Sequence, residues 1–247
     1  MESRSPRLSA RHFTSLDGLR GVAFLLVFAH HYGLSANITQ PFIRALGWLA
    51  GGGWMGVDLF FVLSGFLITG ILIDTRDGPH YYRNFYARRA LRILPLYYTL
   101  LLVLFALTPV WHLKWHWGHL AYVFYLGNFA GLLDGTLNHV LPFITLTHTW
   151  SLAVEEQFYL IWPLIVASIA SPRRLVRLCF ILSGCGLLLR ILLLLTVPAA
   201  HEWSYGQLPT HADGLLLGAV AAVLFRRYEL AGSVALRFAH QDQLPRS

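Results

Sequence analysis

Long apolar segments separated by short arginine clusters are the feature that most constrains how this chain can fold. Of its 247 residues, 56% are hydrophobic and only 13% are charged, whereas about 25% of residues are charged in an average soluble domain. About 20 consecutive apolar residues are enough to cross a bilayer as a helix. The sequence therefore predicts an all-α, polytopic helical membrane bundle. The net charge of +7 is then explained by cytoplasmic arginine clusters and does not indicate nucleic-acid binding.

The apolar segments predict six or seven spans in one membrane domain at residues 15–227. Residues 1–14 are basic and are expected to be a cytoplasmic N-terminus, and residues 228–247 are expected to be a polar, partly disordered tail. The expected spans lie at about 16–34, 55–73, 93–110, 150–170, 175–197 and 208–225. The densest basic loop is expected to contain Arg76, Arg83, Arg88, Arg89 and Arg92.

The apolar segment at about 119–133 decides the topology. If it crossed the bilayer, the arginine clusters at 173–177 and 226–227 would both lie outside. If it is re-entrant or lies in the interface, every basic cluster is cytoplasmic, as the positive-inside rule requires. We therefore expect a re-entrant or interfacial segment, preceded by an interfacial belt of Trp111, Trp115 and Trp117. The histidines of this belt have metal-compatible spacing, but the tryptophans between them favour a wet interface, and we predict no metal site.

Two ionisable residues share one face of the first expected span. Arg20 and His31 are eleven residues apart, which returns to within about 20° of the same helix face, about 16 Å further along. An ionisable group at the centre of a span costs about 2.5–3.5 kcal/mol on insertion scales. Such groups usually face a protein interior or a wet cavity. The spacing therefore predicts a functional site into which both side chains point.

The expected topology places further ionisable residues at two depths. The outer half of the bundle would contain His31, Asp58, Glu155, Glu156, Arg190, His211 and Asp213, and the inner end Arg20, Arg88, Arg89 and Arg92. Arginines at the inner end suit a phosphorylated compound. A histidine with a carboxylate at the outer end suits proton transfer, because the carboxylate fixes the imidazole tautomer. The pattern therefore predicts a two-ended site.

The N-terminal half of the chain contains two recognisable motifs. Arg20 and His31 match an Arg/Lys-x10-His signature, and Gly56–Phe66, with Asp58 inside it, is similar to a second-helix signature. The serine and glycine at 64 and 65 within that segment favour close helix packing, because the Gly-x-Ser-x-Gly frame of a nucleophilic serine is absent there.

Two more motifs follow in the same order. Arg89 and Arg92 match an Arg-x-x-Arg motif, and Ser151–Tyr159 matches Ser-Leu-x-x-Glu-x-x-Phe-Tyr, with Glu155 rather than Glu156 as the functional carboxylate. With these four motifs, residues 12–226 resemble the acyltransferase-3 family of integral membrane O-acyltransferases. The resemblance implies transfer of an acyl group, commonly acetyl, from acyl-CoA to a hydroxyl of a bacterial cell-surface carbohydrate.

The resemblance also implies roles for individual residues. His31, Glu155 and Arg20 would be catalytic. The remaining site residues would bind substrates, and they are Arg89, Arg92, Asp58, Arg190 and Asp213. No bound cofactor is expected, with acyl-CoA as co-substrate. The protein would be an integral protein of the bacterial inner membrane with its N-terminus in the cytoplasm.

The chain departs from the family in two respects. His211 stands two residues before Asp213, where the family often has arginine. The family domain usually has ten helices, so the chain resembles a C-terminally truncated member. An inactive truncated relative is therefore one alternative. A proton-coupled transporter is another, although the repeat-related halves of such carriers are absent from the sequence.

Several of the site residues also fit ordinary structural roles. Asp58 suits a cap of the second helix. The arginines of the basic loop would also be explained as charges that set the orientation of the spans in the membrane. Arg190 suits a structural ion pair with Glu155 or with Asp213.

Overall fold

The computed structural model describes residues 14–32, 52–113, 115–130, 139–141, 144–197 and 204–241. Within these ranges, only the backbone is described for residues 14, 15, 31, 32, 139–141, 144, 145, 147 and 229–241.

The described residues are almost entirely helical, which confirms the all-α class. The helices are α1 (Thr14–Tyr32), α2 (Met55–Thr75), α3 (Tyr81–Ala106), α4 (Thr108–Trp111), α5 (Leu120–Val123), α6 (Trp150–Ser168), α7 (Pro172–Thr196), α8 (Leu208–His211) and α9 (Asp213–Gln241). Short 3-10 turns lie at Trp117–His119, Gly127–Phe129 and Thr147–Thr149. The exception to helix is a small antiparallel hairpin of β1 (His139–Leu141) and β2 (Ile144–Thr145).

Three of the described helices are long and apolar enough to cross a membrane, namely α2, α3 and α7. Helices α1, α6 and α9 coincide with three further expected spans but do not meet the same criteria of length and composition. The structure therefore supports a membrane protein with three candidate spanning helices, and the count of six or seven spans stays a prediction.

The chain divides into two compact units. The first contains the described residues within 1–74, 169–180 and 214–247, and the second those within 75–168 and 181–213. In the first unit, α2 and α9 touch backbone to backbone. A Cβ atom on Gly65 would collide with the carbonyl of Leu215, and one on Gly218 would collide with the carbonyl of Val62. The pairing of Ser64 with Gly65 in the sequence thus serves close helix packing, as predicted.

An ion pair joins the same two helices of the first unit. The guanidinium of Arg226 donates to both carboxylate oxygens of Asp74, at 2.7 and 2.5 Å. Gly70 lies beneath this guanidinium, and a Cβ there would come within 2.5 Å of an Arg226 nitrogen. The absence of a side chain at position 70 therefore leaves the space in which the arginine reaches its partner.

In the second unit, α3 and α6 run antiparallel and are joined by hydrogen bonds from side chain to backbone. The guanidinium of Arg76, just before α3, donates to the carbonyl of Ala167 (2.7 Å). The hydroxyl of Tyr81 donates to Pro163 (3.2 Å), and that of Tyr86 to Leu160 (2.7 Å). Each donor further along α3 meets an acceptor earlier in α6. This register places the Arg-x-x-Arg segment beside the first half of α6.

Helix α3 begins about twelve residues before the expected third span. Residues 81–92, expected as a basic loop, are instead its first three turns. The reason is local amphipathicity: Tyr81 and Phe85 are buried one turn apart, while Arg83 and Arg88 are exposed on the other faces. The arginines at 83, 88, 89 and 92 are therefore positioned by a helix rather than by a loop.

The described part of segment 119–133 is irregular rather than a single helix. It contains the end of one 3-10 turn, the single turn α5 and a second 3-10 turn. Tyr97 and Tyr98 of α3 hold it through hydroxyl hydrogen bonds to the carbonyls of Tyr122 (2.7 Å) and Val123 (2.9 Å). Such a backbone fits the expected re-entrant or interfacial segment, since irregular backbone at membrane depth must be covered by protein or line a cavity. Its depth stays a prediction.

The last helix continues beyond its expected end. Helix α9 runs through the arginines at 226 and 227 to Gln241, where the sequence predicts a partly disordered tail from Tyr228. Residues 242–247 of that tail lie outside the described residues.

Candidate functional site

A buried carboxylate lies at the centre of the family-like segment of α6. Glu155 is only 3% exposed, and the hydroxyl of Tyr159 donates to its Oε1 atom at 3.0 Å. The two residues are four apart and therefore lie on the same face of the helix. A hydrogen bond of this kind restricts the rotamer of Glu155.

Arg89 of α3 adds a cation to this pair. Its Cζ atom lies 3.4 Å from the centroid of the Tyr159 ring, which is a close cation–π contact. Its Nε atom lies 3.6 Å from Oε1 of Glu156, and both side chains are largely buried, at 12% and 18% exposed. Arg89 therefore contacts Glu156 directly and Glu155 through Tyr159. We call Arg89, Glu155, Glu156 and Tyr159 the carboxylate cluster.

The carboxylate cluster changes the expected two-ended arrangement. The expected topology has Arg89 at the inner end and the two glutamates in the outer half, whereas the structure brings Arg89 into contact with Glu156 and Tyr159. The reason is the early start of α3, which carries Arg89 two turns into the antiparallel pair with α6. Arg92, one turn later, is exposed and has no ion pair among the described residues.

A second cluster surrounds the start of α9. Arg190 of α7 lies 3.3 Å from the carboxylate of Asp213, and both are partly exposed, at 27% and 43%. Arg190 also donates from Nε to the carbonyl of Thr210 at 2.9 Å. Of the two partners considered for Arg190, the structure shows Asp213. The cation that the family often has two residues before this aspartate is thus supplied by a neighbouring helix.

Aromatic rings enclose His211, which occupies that position in this chain. His211 is 4% exposed. Its ring lies 4.2 Å from that of Tyr205 and 5.6 Å from that of Trp150. Histidine is therefore held here as a buried aromatic group, while Arg190 carries the positive charge beside Asp213.

An amide network connects α6 to the segment before α8. The side chain of Gln157 donates to Asn128 Oδ1 (2.9 Å) and to the carbonyl of Tyr125 (3.0 Å). Gln207 donates to the carbonyl of Asn128 (2.7 Å) and accepts from its Nδ2 atom (3.2 Å). These bonds tie α6 to the 3-10 turn at Gly127–Phe129 and to the residue before α8.

The remaining predicted site residues lie in the first unit. The Arg20 guanidinium lies 5.3 Å from the Phe60 ring centroid, so its charge rests on an aromatic face. Asp58 is in the first turn of α2, where a negative charge favours the helix dipole. His31 is in α1, and its side chain lies outside the described residues. The predicted pairing of His31 with Glu155 stays a prediction.

The contacts of Tyr159 and Glu156 with Arg89 are not among the sequence-based expectations. A signal for Tyr159 was present, because the final Tyr of the Ser-Leu-x-x-Glu-x-x-Phe-Tyr motif falls one turn after Glu155. Among the described residues, no group of three or more His, Cys, Asp or Glu side chains is placed to hold a metal ion.

Comparison with known proteins decides the family. The acyltransferase-3 family model, described as an acyltransferase domain, matches residues 13–238. The chain belongs to this family. The match covers both clusters and the segments that carry the four motifs.

Individual acyltransferase-3 relatives are longer than this chain. It is 30% identical over 243 residues to the O-acetyltransferase OatA of Staphylococcus aureus strain NCTC 8325 / PS 47, covering 92% of this chain and 37% of the relative. The O-acetyltransferase OatA of strain COL gives the same values. The chain thus spans about a third of the length of these curated relatives. No solved structure matches it.

Proposed function

We propose that this chain is the membrane domain of an O-acyltransferase that transfers an acyl group, in particular acetyl, from acyl-CoA to a hydroxyl of a cell-surface carbohydrate. The observation that carries the proposal is the buried Glu155, held by Tyr159 beside Arg89 in a segment with the family's motif. Family membership and relatives named O-acetyltransferase support the reaction class. A carboxylate buried to this extent is costly in a helix without a role.

The proposed reaction is a single acyl transfer. His31, oriented by Glu155, takes the proton of the acceptor hydroxyl. The oxygen attacks the thioester carbonyl, the C–S bond breaks, and the proton passes from His31 to the departing CoA thiolate. Arg20 stabilises the negative charge on the carbonyl oxygen during attack.

The proposed substrate contacts use the remaining polar residues. Arg92, exposed on α3, and Arg89 would contact CoA phosphates through charge-assisted hydrogen bonds. Arg190, Asp213 and Asp58 would contact the acceptor. The domain would lie in the bacterial inner membrane with its N-terminus in the cytoplasm, since that orientation puts the arginine clusters inside.

Radiolabel transfer tests the proposal. Membrane vesicles containing the chain are supplied with acetyl-CoA labelled in the acetyl group, and label in lipid-linked or surface glycan is counted. We expect His31→Ala and Glu155→Gln to lower transfer by about 10²–10⁴-fold, the usual contribution of general acid–base catalysis. His30→Ala is the matched control, because His30 is adjacent to His31 and points about 100° away on the helix.

Mass spectrometry of the glycan gives an independent readout. Cells with the chain should carry glycan heavier by one acetyl group, and cells with Glu155→Gln should not. Near-normal transfer by either variant would remove that residue from the mechanism. Uptake of a solute driven by a proton gradient, without labelled glycan, would instead support a transporter, and insertion without either activity would support an inactive truncated relative.

A further inference from the structure

Glu156 is a largely buried charge that the proposed reaction does not use. Its side chain is 18% exposed and that of Arg89 is 12% exposed. The Nε atom of Arg89 lies 3.6 Å from Oε1 of Glu156, slightly beyond hydrogen-bond distance, and neither atom has a hydrogen-bond partner among the described residues. Each residue is therefore the counter-charge of the other, in surroundings where the attraction between charges is stronger than in water.

The position of Glu156 on α6 explains how it meets this cation. Glu155 and Glu156 are adjacent, so their side chains project about 100° apart. Tyr159 follows them by four and three residues, so its side chain neighbours both on the helix surface. Arg89 lies over the ring of Tyr159 and faces Glu156. The guanidinium is thus held from two sides, by an aromatic face and by a carboxylate.

The two carboxylates of the carboxylate cluster have different partners within it. Glu155 is the like charge that acts on Glu156. Arg89 faces Glu156, whereas Oε1 of Glu155 accepts from the hydroxyl of Tyr159. Loss of the charge at position 156 would leave the guanidinium with Glu155 as the one remaining carboxylate of the cluster. The contact with Glu156 therefore decides where the guanidinium lies.

The segment before α6 is fixed beside the same glutamate. Tyr125 has a positive φ of 54°, which a non-glycine residue adopts rarely and only where its surroundings hold it. Its carbonyl accepts from the side chain of Gln157 at 3.0 Å, and its ring lies 4.3 Å from that of Tyr97. Its hydroxyl is within electrostatic range of Glu156. Glu156 thus lies among groups whose positions are set by contacts from three segments of the chain.

We propose that Glu156 is a positioning residue, which holds the guanidinium of Arg89 on the face of Tyr159 so that the phenol hydroxyl stays directed at Glu155. This role rests on the proposed function, in which Glu155 orients His31. Glu156 itself touches no substrate and acts only through Arg89.

Thermal unfolding of the purified chain in detergent tests the pair without any assay of transfer. Glu156→Gln and Arg89→Gln should each lower the melting temperature by about 3–10 °C, because each leaves the other charge largely buried and unpaired. The double variant should lose no more than the larger single loss. Arg88→Gln is the matched control, since Arg88 is exposed and donates to the Asn84 carbonyl of its own helix, and its effect should add to that of Glu156→Gln. Additive losses for Arg89 and Glu156 would overturn the proposal.

Nuclear magnetic resonance of the Tyr159 ring tests the position of the guanidinium. The chain is labelled with an NMR-active carbon isotope at Cζ of tyrosine, and the signal that is absent from Tyr159→Phe belongs to Tyr159. Because Cζ is bonded to the hydroxyl oxygen, its chemical shift follows the hydrogen bond that the hydroxyl donates. We expect this signal to move in Glu156→Gln and to stay in place in Asp77→Asn, an exposed acid outside the cluster. An unchanged Tyr159 signal in Glu156→Gln would contradict the proposed role.

Transfer kinetics test whether the position matters for the reaction. Glu156→Gln should lower kcat at saturating acetyl-CoA by about tenfold, within the loss of up to about 10²-fold that a misplaced group can cause. The KM for acetyl-CoA should change little, because the ground-state contacts of the donor are kept. Glu156→Asp, which keeps the charge, should recover part of the loss. A change in KM with an unaltered kcat would assign Glu156 to donor binding and overturn the proposal.

The Arg89→Gln background separates positioning from direct catalysis. Glu156→Gln should have no further effect on kcat there, because no guanidinium remains to be held. An equal loss in both backgrounds would mean that Glu156 acts on the substrate itself, and the proposal would fall. Absence of transfer by the wild-type chain would refute the proposed function alone, since the thermal and resonance measurements would still decide whether Glu156 positions Arg89.

Discussion

Tyr159 joins two residues that the sequence motifs treat separately. Its ring is in contact with the guanidinium of Arg89, and its hydroxyl donates to Glu155. A cation on the face of a phenol makes its O–H a stronger donor, so the charge of Arg89 reinforces the hydrogen bond to the carboxylate. At the scale of single residues, the carboxylate cluster therefore behaves as one interacting unit.

Removing the hydroxyl of Tyr159 should weaken transfer without disturbing the fold. Tyr159→Phe keeps the ring beneath Arg89 but leaves Glu155 without this donor, and a hydrogen bond to a charged group contributes about 1.5–3 kcal/mol. We expect the rate of acetyl transfer to fall by about tenfold or more, measured by radiolabel. Tyr86→Phe, which loses an exposed hydroxyl bond to Leu160, should stay near wild type; equal losses in both variants would contradict a specific role for Tyr159.

Substitution of the two arginines of the Arg-x-x-Arg motif should have different effects, one on stability and the other on binding of the acyl donor. Arg89→Gln leaves the largely buried Glu156 without its cation. We therefore expect the free energy of unfolding to fall by about 1–3 kcal/mol. Arg92→Gln, at an exposed position, should keep the melting temperature but raise the KM for acetyl-CoA by about tenfold. A fall in stability for Arg92→Gln with unchanged KM would refute the assignment of Arg92 to the donor.

Resemblance to the family motif implies Glu155 rather than Glu156 as the functional carboxylate. Glu155 is the more buried of the two, and its catalytic role stays a prediction. The contact of Arg89 with Glu156 could not be predicted, because it depends on the register between α3 and α6, which apolar content alone does not set. The pairing of Arg190 with Asp213 was one of two alternatives, and only tertiary structure chooses between them.

At the scale of elements, close packing of α2 against α9 depends on glycine. Gly65 and Gly218 each lie against a backbone carbonyl of the opposite helix, the kind of small-residue contact that lets membrane helices approach closely. By contrast, a Cβ on Gly184 of α7 would meet nothing within 4 Å. Glycine is thus required at the first two positions and not at the third.

Enlarging Gly218 should destabilise the first unit. Gly218→Val places a branched side chain against the Val62 carbonyl, and overpacking of this kind typically costs about 1–3 kcal/mol. We expect the melting temperature in detergent to fall by about 4–10 °C. Gly184→Ala should leave it unchanged or raise it slightly, because alanine favours helix by up to about 1 kcal/mol. Similar melting temperatures for Gly218→Val and Gly184→Ala would show that the helices do not pack this closely.

Element boundaries were predicted best where hydropathy changes sharply. The second expected span, 55–73, nearly coincides with α2, whereas the third began too late because arginines interrupt the apolar run at 83–92. Those arginines lie on an amphipathic helical segment whose buried face is formed by Tyr81 and Phe85. Mean hydropathy over a sequence window combines the polar and the apolar face of such a helix, so it predicts a loop.

At the scale of the whole molecule, the family is established and the number of crossings is open to experiment. Three described helices qualify as spans by length and composition. With segment 119–133 on one side of the bilayer, the expected spans are six and both ends of the chain face the cytoplasm. With that segment crossing, the last residue lies outside.

Fusion of green fluorescent protein after Ser247 distinguishes these topologies. The re-entrant or interfacial arrangement predicts a fluorescent fusion, because this reporter folds in the cytoplasm, and an inactive alkaline phosphatase fusion at the same site. The matched pair of fusions near residue 136 should give the opposite result. A phosphatase-active fusion after Ser247 would show that segment 119–133 crosses the membrane.

Gly65 of α2 and Gly218 of α9 each lie against the backbone of the opposite helix, and these two contacts limit how the helices can move. Sliding one past the other by a single residue would bring a bulky neighbour, such as Phe66 or Leu217, onto the opposing main chain. We therefore expect α2 and α9 to move together, and we expect a movement that admits a substrate to occur elsewhere in the protein.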